Sequence, residues 1–251
     1  MTLTGVFASE WLKLRSVRST YWTLGVAAVL MPLIGFLVAH GTAPAEKAAG
    51  DFDPTDAMQG AAFAQLAFGV LGVLTISSEY STGLIRTTFA SVPGRGTVLA
   101  VKAAVLFVLL LIVGEIISTT TFLVAQAAYP PGLGISLADD GALGAALGSG
   151  FYMAFIGMFG FGVGAIVRHT PGAITVMMAV VFVIMSILPQ LFPASVRDEI
   201  GRYSFLGLAH GLSTITPIPE VPADGTSVAL CFFYAALVLV PAFLLTLRRD
   251  A

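Results

Sequence analysis

Charge is the scarcest thing in this chain. Of 251 residues, 12 are Lys or Arg and 14 are Asp or Glu, a 10% share where an ordinary globular domain carries roughly 25%. That is too little to coat a soluble sphere of this size, and disordered chains, being polar and highly charged, are excluded with it. The net charge of −2 leaves no basic face for nucleic acid. A single cysteine, Cys231, rules out an intrachain disulfide and any cysteine-cluster metal site. Three widely spaced histidines argue against a histidine-built one, so no metal is expected. The P-loop pattern G-x-x-x-x-G-K-[ST] is missing as well. The three lysines, Lys13, Lys47 and Lys102, follow Leu12, Glu46 and Val101, never a glycine. A chain without that phosphate cradle does not hydrolyse ATP in the P-loop manner. Nor is there a nucleophile–base cluster, and His210 reads as an outer-loop residue without a catalytic role. What is abundant is apolar: 57% of residues, with a mean hydropathy of +0.94. The composition is that of a polytopic membrane protein and not of an enzyme.

A helix crosses the roughly 30 Å hydrocarbon core with about 20 apolar residues. Stretches poor in charge predict six spans near residues 21–39, 60–78, 98–127, 142–167, 171–191 and 227–247. The third is longer than a crossing needs, which predicts tilt or a kink. The first lacks a small-residue cleavage site in the right place, so Met1–Thr20 is expected to be a cytoplasmic approach segment. Neither an internal repeat nor a long linker is visible, and 1–251 reads as one membrane domain.

Basic residues set the orientation. With the N-terminus inside, Lys13, Arg15, Arg18, Arg86, Arg95, Lys102, Arg168, Arg248 and Arg249 are cytoplasmic, and only Lys47, Arg197 and Arg202 are external. Ten of the 14 acidic residues, Asp51, Asp53, Asp56, Asp139 and Asp140 among them, fall outside. Both termini are therefore expected in the cytoplasm of a multi-pass cell-membrane protein.

Five segments are more than apolar filling. Leu3, Val6, Phe7, Trp11 and Leu14 recur at helical spacing beside Lys13 and Arg15, which fits either a helix on the inner leaflet or a basic topogenic flank, and Glu10 interrupts the apolar stripe. In the 77–96 loop, Glu79 is expected to start a short helix by complementing its dipole. Leu84, Ile85, Thr88 and Phe89 would form its contact stripe, and Pro93-Gly94 would end it. Such a basic amphipathic helix suits a soluble partner's groove, and the alternative from the residues alone is an ordinary inside loop. Glu115 lies within the third span, where a carboxyl must face protein or water. It is either a transport-path acid or a structural glutamate bonded to Ser118, Thr119 or a neighbouring helix. In the fourth span, Gly144-x3-Gly148 and Gly160-x3-Gly164 predict close helix packing. The 192–226 stretch is apolar at Phe205–Ala209 and Leu212, broken by Pro217, Pro219 and Pro222, and reads as an outer segment seated at the interface or an exposed loop.

The run Glu79-x3-Gly83-x-Ile85-Arg86, then Pro93-x-Arg95 and Lys102, resembles the loop after the second helix of the ABC type-2 transporter permeases. The opening Ser9-Glu-Trp-Leu-Lys-Leu-Arg15 is similar to that family's start, and six helices with a long final outer loop fit along the whole chain. The resemblance implies an all-α fold with an N-terminal interfacial connecting helix, a cytoplasmic coupling helix and short outer helices before the last span. It implies a permease subunit that pairs with a second copy or paralogue in the bilayer and exports an amphipathic or hydrophobic cargo, such as a drug, lipid or peptide. A separate ABC ATP-binding subunit, carrying ATP and Mg, would drive it. Coupling to that subunit would fall to Glu79, Gly83, Ile85, Arg86, Phe89 and Arg95, and Glu115 is the transport-path candidate. The rival expectations are a stand-alone proton-coupled transporter using Glu115 and a non-transporting membrane anchor or sensor.

Overall fold

A computed structural model of the chain describes residues 3–41, 52–91, 94–215 and 224–248. Lys47, Asp51, Pro93, Pro217, Pro219, Pro222 and Arg249, to which the sequence assigned loop or topogenic roles, lie outside the described residues. Among the described residues the fold is entirely helical. Helix α1 (Leu3–Ser16) turns at Val17 into α2 (Arg18–Gly41). A 3-10 turn at Asp56–Gly60 leads into α3 (Ala61–Ser81), followed by the short α4 (Leu84–Ser91). The long α5 (Arg95–Ala128) and α6 (Ala142–Val167) come next. After α7 (Thr170–Met178) come α8 (Ala194–Arg202), α9 (Phe205–Ser213) and the final α10 (Asp224–Arg248).

Five of these elements are long and apolar enough to cross a bilayer: α2, the turn with α3, α5, α6 and α10. The segment expected as a further span, 171–191, is built differently. Helix α7 passes into π-helical turns at Ala179–Ile187 and then a 3-10 turn at Leu188–Leu191. Val180, Val181, Val183 and Ile184 are β-branched and crowd a regular α-turn. Pro189 has no N–H with which to continue one.

Helix α6 is the axis of the bundle. Every residue from Tyr152 to Ala165 is buried, with α3, α5, α7, α9 and α10 packed around it. Glycine makes this possible where backbones meet: a Cβ on Gly164 would sit 2.9 Å from the Val73 carbonyl oxygen and 2.8 Å from Ile76 of α3. Gly160 likewise abuts Gly69, so the second predicted glycine pair is a packing seam of the small-residue kind. The first pair divides: Gly148 lies against the Leu212 backbone, whereas Gly144 faces open space. The outer helices show the reverse character. Trp22 and Phe36 of α2 and Phe232, Phe233 and Leu237 of α10 are exposed. Apolar surface on this scale is rare on a soluble monomer and is compatible with a multi-pass membrane protein.

The two ends of the bundle differ. At one end lie α1, the last turn of α3, α4, the first turns of α5 and the end of α6. At the other, Gln126 near the end of α5 donates to the Pro54 carbonyl (2.9 Å) and accepts from the Ile135 amide (2.8 Å), and the Ile215 amide donates to Thr55. The chain leaves the first end at Thr170, whose hydroxyl meets that of Ser77 at 2.9 Å. By Leu212 and Ile215 it is packed at the second.

Candidate functional site

The buried charged residues of this apolar chain, among those described, gather at the first end. Glu10 of α1 and Lys102 of α5 are each 2% exposed, and Glu79 of α3 is 7% exposed. Lys13, one turn after Glu10, sets its Nζ 2.7 Å from Glu10 Oε1 and 3.0 Å from Glu79 Oε1. Lys102 Nζ lies 2.8 Å from Glu79 Oε1 and also binds Glu10 Oε2. Lys13 further donates to the Thr88 hydroxyl of α4 at 3.3 Å. Two acids and two bases thus join α1, α3, α4 and α5, and their charges cancel where an unpaired one would cost several kcal/mol. Burial alone would lower the pKa of Lys13. The hydrogen bond to Glu10 and the charge of Glu79 outweigh it and hold the ammonium above its ordinary value.

This network corrects two expectations. Glu10, the apparent flaw in the α1 stripe, is its anchor: Val6, Glu10 and Leu14 form the buried face, while Leu3, Phe7, Trp11 and Leu12 are exposed. Glu79 does not open the short helix. It sits in the last turns of α3, which runs on to Ser81 with two lysines paired to Oε1 of the carboxylate there. Gly83, at φ +73°, makes the turn instead, a conformation that is costly for any residue with a Cβ.

The predicted contact stripe of α4 also divides. Ile85 is buried in the main core, and Phe89 packs against Val6 and Val98 with the Arg95 guanidinium 5.8 Å from its ring centroid. Leu84, Arg86, Thr87 and Ala90 are exposed and form the free surface of α4. Of the six residues expected to meet a partner, Glu79, Ile85 and Phe89 thus face their own chain, and Arg86 faces out.

Arg168 is the member that the sequence argument missed, having counted it only as a topogenic charge. It ends α6 in the left-handed region at φ 60°. Its guanidinium lies 4.8 Å from the Tyr80 ring centroid and donates to the Leu245 carbonyl of α10 at 3.3 Å. A non-glycine residue held at positive φ is the available signal, and no sequence spacing encodes it.

Glu115 stands apart, in the middle of α5. It faces Gly150 of α6, where an added Cβ would fall 2.6 Å from Glu115 Oε2. That oxygen is buried and has no hydrogen-bond partner among the described residues. Ser118, one of the expected partners, gives its hydroxyl to the Ala146 carbonyl at 2.6 Å instead. At the far end, His210 is a residue of α9 and not of a loop; burial lowers its pKa, against the pull of Asp56.

A cavity of 380 Å³ opens beside the ion network, between the α1–α2 elbow and the end of α3. Glu10, Glu79 and Lys102 bound its inner wall. No model of a known protein family matches the chain, and no curated protein matches it.

Proposed function

We propose that the chain is the permease subunit of an ATP-driven ABC exporter, two copies or paralogues of which enclose a path for an amphipathic or hydrophobic cargo. The observation that carries the reading is convergence. The sequence runs that resemble the ABC type-2 permeases, Ser9–Arg15 and Glu79–Lys102, are far apart in the chain yet meet at one end of the bundle through Glu10, Lys13, Glu79 and Lys102. Helix α1 serves as the connecting helix and α4 as the coupling helix, with its exposed Leu84, Arg86 and Thr87 toward the ATP-binding subunit. Glu79, Gly83, Ile85, Phe89 and Arg95 set the position and angle of α4. The segment 170–204 provides a sixth, broken crossing, so that the charged end and both termini lie in the cytoplasm of the cell membrane. ATP and Mg belong to the partner, and this chain carries the movement from α4 through the ion network to α3 and α5.

The test is purification of the tagged chain from its native membrane with identification of every partner. A P-loop ATPase should copurify, and Arg86→Glu should reduce its recovery about tenfold or more by turning attraction into repulsion, with permease pairing unchanged. Absence of any ATPase, or indifference to Arg86→Glu, would overturn the assignment. The unpartnered Glu115 oxygen favours one second reading, a stand-alone proton-coupled transporter. In that case the reconstituted chain alone would move solute down an imposed pH gradient, and Glu115→Gln would stop it.

A further inference from the structure

We propose that the cavity between α1 and α3 binds a bilayer lipid bearing a primary ammonium headgroup, as in phosphatidylethanolamine. The walls grade from charged to apolar along α3. Glu79 stands at the charged end, Thr75 one turn deeper and Leu71 two turns deeper, with Leu74 beside them and Leu14 of α1 opposite. At 1.5 Å per residue, Glu79 to Leu71 spans about 12 Å along the helix axis. The mouth is lined by exposed Ser16, Ser19, Ser78 and Thr82. At 380 Å³ the space lies within the usual 300–1,000 Å³ range of ligand pockets.

The headgroup chemistry follows from the ion network. Glu79 Oε1 receives both lysines, whereas Glu79 Oε2 is buried and has no partner among the described residues. An ionised carboxylate only accepts hydrogen bonds, so the missing group is a donor. The four charges already cancel, which favours a zwitterion over an ion. An ammonium on Glu79 Oε2 would leave the lipid phosphate near Lys13, the more exposed of the two lysines. A trimethylammonium headgroup has the same charge and no N–H, and so lacks the required donor. This inference needs the chain in a bilayer, not the ATPase, and stands or falls separately from the transport reading.

The full-length chain would be reconstituted in nanodiscs of equal parts phosphatidylethanolamine and phosphatidylcholine, then extracted and its retained lipids weighed by native mass spectrometry. Phosphatidylethanolamine should be retained about tenfold over phosphatidylcholine, the value of one charge-assisted hydrogen bond. Glu79→Gln should remove that preference. Ser78→Phe, which fills the mouth and leaves the ion network untouched, should remove the bound lipid with folding intact. Equal retention of the two lipids, or undiminished retention by Ser78→Phe, would overturn the proposal. Displacement of the lipid by millimolar soluble phosphoethanolamine would overturn the lipid assignment in favour of a free headgroup compound.

Discussion

Among the described residues, two places take a carboxylate out of water, and they treat it oppositely. At the charged end, Glu10 and Glu79 share Lys13 and Lys102 within an almost dry cluster. In the middle of α5, Glu115 faces the glycine surface of α6 and forms no ion pair among the described residues; like Glu79 it keeps one oxygen unpartnered, but with no cation beside it. The first arrangement resists change, because losing any member strands another charge. The second is held against its own preference by the packing around it, and an unsatisfied buried group of that kind calls for a functional account. Structural and chemical glutamates are therefore told apart by their neighbours, not by their depth.

The contrast breaks most sharply at Lys102. Lys102→Met leaves two buried carboxylates with a single cation, and the expected loss is about 3–5 kcal/mol of stability, read by thermal unfolding in detergent. Glu115→Leu should act with the opposite sign, gaining about 1–3 kcal/mol as the unsatisfied oxygen is removed. A less stable Glu115→Leu protein would mean that the carboxyl has a partner after all, and the two sites would then be alike. The smallest effect is alkaline. Lys13 titrates above its ordinary 10.5 in the folded chain, so its contribution is complete below that pH and fades as pH rises through the higher folded value. The fluorescence of Trp11, exposed on α1, should report release of this helix there while total helicity holds. A double variant, Glu10→Gln with Lys13→Met, should lose the transition.

Much of this was legible in the sequence, and the failures share a cause. Long runs poor in charge mark α2, α3, α5, α6 and α10, because the hydrocarbon core demands them. The Gly160–Gly164 seam was visible for a similar reason: a repeat of four keeps small residues on one helix face. The 171–191 segment is apolar as the sequence reads it, but hydropathy counts apolar residues without registering that a β-branched run ahead of Pro189 distorts the helix carrying them. Glu79 and Glu10 misled because a single charge was read against its own helix, as a cap or as a flaw. Their partners lie 23 and 92 residues away at Lys102. Ile85 and Phe89 show the same limit on α4: amphipathic spacing identified two faces but did not say which was already occupied.

The central place of α6 also fixes an order of events. Gly162 is closed over by Val238 of α10, whose Cγ2 would stand 2.6 Å from an added Cβ, and Arg168 finds its carbonyl partner on the same helix at Leu245. Helix α10 is synthesised after all the other described helices. At 5–20 residues per second, the stretch from Val167 to Arg248 takes about 4–16 s to synthesise. For that interval the bundle's axis has one bare glycine flank, covered only by lipid or by whatever attends the nascent chain. Insertion of the membrane helices and completion of their core are thus separate steps in time, and the second waits for the final 25 residues of helix.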